Sequence, residues 1–295
     1  MGGSHEDRFC LDFVSPHVDR SIVLYDLAIG LPTAAFLAFL GWGFRHSAKK
    51  LRRSGSHIMT TYYCFLWAVS LLNLIRCCTQ IGQTEKHGPH VMWNLLWLMT
   101  RFGMVLLELS VVVFLLQGYV TSGLEALIRT LAISGGIAMI ETVMMTIYIF
   151  GIHVPLFMKK DDGGGDEEED MSWAKWSFWL LHHLAFMLVY LLILVVPYTQ
   201  WRDLLPAKPS FYRYVAALFL LSLTAVLGSI MIGSHVSSGY CVYGVASFLY
   251  YAAYPPLLYW TFLAEFFADD ELDRELMYYS EMKEAGYFED NGINF

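Results

Sequence analysis

Arg101 and Glu141 stand inside long apolar runs, where a charge must find a partner or a function. Four other ionisable positions share that setting: Asp26, Arg76, and the adjacent His182 and His183. A buried guanidinium seeks a planar acceptor, and Glu141 is the best-placed carboxylate for Arg101 because the two lie at similar depth on consecutive runs. Such a pair has two uses. It locks two helices together, or it lines a polar pocket from which a small ligand borrows one half. Glu108 follows Arg101 by seven residues, two helical turns that keep both on one face but ~10 Å apart, too far for contact without water. Asn73 reaches a depth comparable to that of Glu108. A carboxyl there is either protonated and hydrogen-bonded or part of a relay.

Several other chemistries lack their residue patterns. His182 and His183 point about 100° apart on a helix, so they do not share a metal; an i, i+4 pair would be needed. The five cysteines, Cys10, Cys64, Cys77, Cys78 and Cys241, show no metal-ligand spacing. The last apolar run has no lysine to form a retinal Schiff base. No basic surface is suited to nucleic acid. These absences point to a non-enzymatic chain without a metal or other cofactor. One disulfide is available among Cys10, Cys77, Cys78 and Cys241, with its pairing open.

The elements that position these groups are set by hydropathy. The chain has 295 residues, of which 56% are hydrophobic and only 16% charged, well below the charge content of a soluble domain. Apolar runs of about 20 residues cross a bilayer as helices, since lipid offers the backbone no other hydrogen-bond partners. Seven are expected, at Ile22–Phe44, Ile58–Ile81, Val91–Gln117, Leu127–Phe150, Trp173–Val196, Phe211–Gly233 and Cys241–Phe266. The fold class is therefore an all-α integral membrane bundle of seven transmembrane helices in one domain over 22–266. An outer segment, 1–21, precedes it, and an acidic cytosolic tail, 267–295, follows. The comparison of the first three runs with the last three shows no repeat of the carrier type.

Arg45, Lys49, Lys50, Arg52 and Arg53 crowd the connection after the first run. Basic short loops stay in the cytosol, which puts the amino end outside and the tail inside. The six buried ionisable groups then lie in the outer half, and Glu108 lies deeper. The stretch Lys159–Met171, with acids concentrated in 161–170, reads as a solvated outer loop. Arg52, Arg53 and Arg202 face the cytosol as candidate partner contacts, besides their role in fixing topology. Pro255 and Pro256 remove two backbone donors from the seventh run, which marks a bend or a hinge.

Long segments carry a family resemblance. TRFGMVLLELS (Thr100–Ser110), SHIMTTYYCFLWAVSLLNL (Ser56–Leu74), FLLQGYVTSGLEALIRT (Phe114–Thr130), PAKPSFYRY (Pro206–Tyr214) and YYSEMKEAGYF (Tyr278–Phe288) resemble, in order and spacing, the adipocyte-associated transmembrane protein family. They are most similar to its plant branch, the candidate G-protein-coupled receptors. The resemblance implies a seven-span, multi-pass plasma-membrane receptor that couples to the alpha subunit of a heterotrimeric G protein. The ligand it implies is a small amphipathic molecule, an indoleamine such as melatonin or an acyl-homoserine lactone. The chain lacks the rhodopsin-type signatures: the inner end of the third run reads Leu115-Leu116-Gln117-Gly118-Tyr119, and no Asn-Pro-x-x-Tyr occurs in the seventh. On this reading Arg101, Glu141, His182 and Arg76 bind ligand, and Glu108, Asn73, Pro255 and Pro256 form the switch. The competing readings are a small-solute transporter and a membrane scaffold.

Overall fold

The structure is a computed structural model that describes residues 19–83, 91–117, 124–151, 167–199, 209–234, 236 and 238–268. Seven long helices account for nearly all of these: α1 (Asp19–Ser54), α2 (His57–Gln83), α3 (Val91–Gln117), α4 (Leu124–Thr146), α5 (Glu167–Val195), α6 (Pro209–Gly233) and α7 (Ser238–Leu258). A π-type turn, Ile147–Gly151, extends α4. A second, Tyr259–Leu263, carries α7 into a final short helix, α8 (Ala264–Ala268). No strand occurs among the described residues.

Six of the helices, α1 to α6, are long and apolar enough to cross a membrane. The seventh is diluted by Tyr240, Tyr243, Tyr250, Tyr251 and Tyr254 and by its two prolines. Those phenols face the bundle: Tyr251 and Tyr254 are buried, and Tyr250 is half-buried. The molecule instead exposes the large apolar side chains of its other helices, among them Leu24, Leu31, Ile128, Ile140, Leu181, Leu192 and Leu220. In a water-soluble protein so many would form an aggregation surface. In a bilayer they meet acyl chains.

Two helix limits differ from the hydropathy reading. The basic stretch Arg45–Arg53 is not a loop but the last turns of α1, and only Gly55 and Ser56 separate α1 from α2. Hydropathy marks where the lipid-compatible surface ends, whereas Lys, Arg and Ala continue a helix readily. Cations also suit a helix C-terminus. Gly55 makes the reversal at φ 60°, a conformation that costs glycine little. Similarly, α5 starts at Glu167, so the backbone of Glu167–Asp170, within the acidic stretch, is already helical. The remainder of 161–170 lies outside the described residues.

Helices consecutive in sequence alternate in direction, and α7 closes the bundle against α6 and, running parallel to it, α1. Tyr25 Oη donates to the Gly244 carbonyl at the amino-terminal ends of α1 and α7 (3.3 Å). At their other ends, Lys50 Nζ donates to the carbonyl of Phe267 (3.4 Å). Helices α6 and α7 approach closely at two glycines. A Cβ on Gly228 would stand 2.8 Å from the Tyr243 backbone nitrogen, and one on Gly239 would stand 2.8 Å from the Ile232 nitrogen. The core in the middle is aromatic, with Phe36, Tyr62, Tyr63, Tyr190, Phe211, Tyr214, Tyr254 and Tyr259 all buried.

Candidate functional site

Helix α3 carries Arg101 inward, and four helices meet there. Its Nε lies 3.7 Å from Glu141 Oε1 on α4. Its Nη2 contacts Nε2 of His182 on α5. The guanidinium covers the ring of Tyr250 on α7 at 5.0 Å and that of Trp179 on α5 at 5.5 Å. A guanidinium only donates, so His182 Nε2 accepts and the imidazole proton sits on Nδ1. That nitrogen lies 3.1 Å from Glu141 Oε1, off the hydrogen-bond axis. Arg101 Nε and Glu141 Oε1 are consequently buried without hydrogen-bond partners among the described residues. The two atoms face each other as an ion pair at 3.7 Å, too far apart for a hydrogen bond, in a site where a bond left unmade is costly.

Two turns further along α3, Glu108 is also buried. Tyr190 of α5 donates to its Oε1, and Tyr250 of α7 donates to its Oε2 at 2.7 Å. Tyr250 thus spans the distance between Arg101 and Glu108 with its own ring, where the sequence spacing suggested water. Beyond it, Tyr254 stacks on Tyr250 (5.8 Å, 17°), and its hydroxyl bonds that of Tyr214 on α6 (3.0 Å). The polar thread therefore runs from Glu141 through Arg101 and Tyr250 to Glu108 and Tyr190.

One turn from this centre, at the end of the bundle where α3 and α5 begin, lies a small aromatic group. Trp97 meets Trp179 edge-on at 5.7 Å, and Phe178 packs against both Trp179 and Tyr148. The His183 ring meets that of His182 edge-on at 4.9 Å and stacks on Trp179 at 6.2 Å. Among the described residues no three His, Cys, Asp or Glu side chains converge as metal ligands do.

Arg76 is not part of this centre. It occupies a second polar cluster on the α1–α2–α7 face, 3.7 Å from Asp26 and 4.8 Å above the ring of Tyr251. Asn73 belongs to the same cluster and does not approach Glu108. Its Oδ1 accepts from Arg76, and its Nδ2 donates to Thr33 Oγ1 and to the Tyr251 carbonyl. The two centres touch through adjacent tyrosines, since the rings of Tyr250 and Tyr251 meet edge-on at 5.4 Å, each covered by one arginine. Pro255 and Pro256 lie within the helical run of α7 rather than ending it. Arg52 and Arg53 are exposed in the last turn of α1. Arg202 lies outside the described residues, as does Cys10. Cys241 is in a disulfide, whereas Cys64, Cys77 and Cys78 are free.

The tyrosines and Trp179 escape a reading based on charge, because a phenol in an apolar run looks like an interfacial anchor. Spacing held the signal: Tyr243, Tyr250 and Tyr254 recur at intervals of seven and four, along one face of a helix.

Residues 18–280 match the model of a family, Tmemb_40, described as a predicted membrane protein. The chain belongs to this family. The chain is 41% identical over 266 residues to an Arabidopsis thaliana protein named Candidate G-protein coupled receptor 2, covering 90% of this chain and 86% of the relative. Candidate G-protein coupled receptor 8 of the same plant is also 41% identical, over 90% of this chain and 87% of the relative. A Caenorhabditis elegans protein, Transmembrane protein adipocyte-associated 1 homolog, is 28% identical over 81% of this chain and 52% of its own length. The family resemblance carried by the quoted segments is thereby borne out. No solved structure matches the chain.

Proposed function

We propose that this chain is a seven-crossing, receptor-like protein of the plasma membrane, with its amino end outside and its tail in the cytosol. In this reading, a small extracellular ligand engages Arg101, Glu141 and His182 and selects a minor conformation of the bundle. The change passes to the alpha subunit of a heterotrimeric G protein at basic cytosolic residues, with Arg52, Arg53 and Arg202 as the contacts. The protein works without enzymatic turnover and without a cofactor.

The observation that carries this reading is the pair of unfilled polar atoms at the four-helix junction, Arg101 Nε and Glu141 Oε1. A ligand that accepts from the first and donates to the second satisfies both. An amide carbonyl accepts from Arg101 Nε, and melatonin and the acyl-homoserine lactones, both implied by the family resemblance, carry one. The C=O and N–H of a trans amide point in opposite directions, so a second polar group of the ligand serves Glu141 Oε1. The nearby rings of Trp97, Phe178 and Trp179 suit the apolar remainder. Displacement of Arg101 from Tyr250 alters the donor to Glu108, so the geometry links the ligand centre to the interior of α3, α5 and α7. The names of the Arabidopsis relatives support the receptor class.

The test is reconstitution of the purified protein with a G-protein alpha subunit, assayed with melatonin and with an acyl-homoserine lactone. Ligand-dependent nucleotide exchange that is lost in Arg101→Ala is expected. Solute flux through the proteoliposomes with no exchange would replace this reading with a transporter. Activity insensitive to Arg101→Ala but abolished by removal of residues 269–295 would identify a scaffold.

A further inference from the structure

Each backbone N–H of an α-helix donates to the carbonyl four residues earlier, and a π-type turn uses the carbonyl five residues earlier. Both donors that the Tyr251 carbonyl would meet in this way belong to prolines, Pro255 and Pro256, and neither has an N–H. Ala252 loses only the first, since Leu257 follows at the fifth position. Tyr251 is therefore the position in α7 whose carbonyl both prolines strip. An unfilled carbonyl in an apolar interior is unfavourable.

A side chain fills it. Asn73 Nδ2 on α2 donates to the Tyr251 carbonyl at 3.1 Å. The amide is held in this sense from its other end, because Arg76 Nε and Nη2 donate to Asn73 Oδ1 at 3.3 and 3.1 Å. Arg76 is itself placed by Asp26 and by the face of Tyr251. Nδ2 also donates to Thr33 Oγ1 at 3.1 Å, and that hydroxyl donates to the Ile29 carbonyl at 2.8 Å. Helices α1 and α2 thus converge on one backbone atom of α7, directly before the residues at which the helical ladder of α7 is interrupted. The π-type turn Tyr259–Leu263 follows within one turn of the prolines.

We propose that Asn73 supplies the hydrogen-bond donor that Pro255 and Pro256 remove from α7, and that this bond is a releasable latch on a hinge at the prolines. While the bond holds, the part of α7 beyond Pro256 is tied to α1 and α2. When it breaks, the interrupted ladder leaves that part free to swing. The inference is independent of the receptor reading, since any membrane bundle with two states can use such a latch.

A double-mutant cycle on the full-length protein in nanodiscs tests it. Asn73→Leu removes the donor while keeping the number and branching of the side chain's heavy atoms, and Pro255→Ala returns an N–H to the Tyr251 carbonyl. Asn73→Leu alone lowers the melting temperature by about 2–4 °C, and the drop falls to less than half of that in the Pro255→Ala background. Asn73→Asp, which still accepts from Arg76 but cannot donate, follows the same pattern. Spin labels at Arg53→Cys and Trp260→Cys show a broader distance distribution in Asn73→Leu and the original one in Asn73→Leu/Pro255→Ala. Equal melting losses in both backgrounds, or an unchanged distance distribution, overturn the proposal. If Asn73→Leu alone yields no folded protein, recovery of folded protein on adding Pro255→Ala supports the latch and failure to recover overturns it.

Discussion

The guanidinium of Arg101 meets a carboxylate, an imidazole and two aromatic faces at once, which no ammonium group can do from a single position. Its removal strands Glu141 as a buried, unpaired carboxylate. Arg101→Ala is expected to cost about 3 kcal/mol of stability, read as a fall in melting temperature in detergent. Addition of Glu141→Ala should restore part of that loss, because the stranded charge is then gone. A simple additive penalty from the second change would mean that the two groups do not act as a pair. Tyr250→Phe is subtler: the ring remains for Arg101 to cover, but Glu108 Oε2 loses its donor. A loss of about 1–3 kcal/mol follows from the unfilled acceptor, and the same melt measures it. The Arg101–Glu141 partnership was legible in the sequence because both residues are conspicuous charges at matching depth. The anchors of Glu108 were not, since a phenol from a distant helix carries no mark of the carboxylate it serves. Asn73 was visible as a buried amide, but its partner is a main-chain carbonyl that no side-chain inventory contains.

At the scale of the helix, the separation of α6 from α7 is set by glycine. Gly228→Ala places a methyl group against the Tyr243 backbone, which has no flexible end to yield. The helices must separate, at a cost of about 1–3 kcal/mol. Gly136 on α4 has nothing within 4 Å of its missing Cβ, so Gly136→Ala should be neutral or stabilise by about 0.5–1 kcal/mol through helix propensity alone. Thermal melts of the two variants side by side separate a packing requirement from a general intolerance of alanine. Seven apolar runs marked the seven helices directly, and six of them are long and apolar enough to cross a membrane. Helix ends were less accessible. The basic turns of α1 and the acidic first turn of α5 are polar, so hydropathy assigned them to loops, while their backbones continue the helix into the membrane–water boundary.

For the whole molecule, the orientation proposed here hangs on the cations at the carboxyl end of α1. Arg45, Lys49, Arg52 and Arg53 stand beside the two-residue turn into α2, and translocation of that cluster would oppose the bias that holds short basic segments in the cytosol. The contact between Lys50 and the Phe267 carbonyl puts the start of the acidic tail at the same end of the bundle. Both therefore share one compartment, whatever that compartment is. His57 is exposed at the first position of α2 and offers a place to ask which. In a background with Cys64 and Cys78 changed to serine, His57→Cys should react with a membrane-impermeant maleimide only after permeabilisation. A tag fused after Phe295 should become accessible to antibody under the same condition, and one fused before Met1 should be accessible in intact cells. Labelling of His57→Cys in intact cells would turn the bundle over. The Arg101 centre lies nearer the opposite end from Lys50, so inversion would make it open toward the cytosol and end its candidacy as a site for extracellular ligands, while leaving the Asn73 latch untouched.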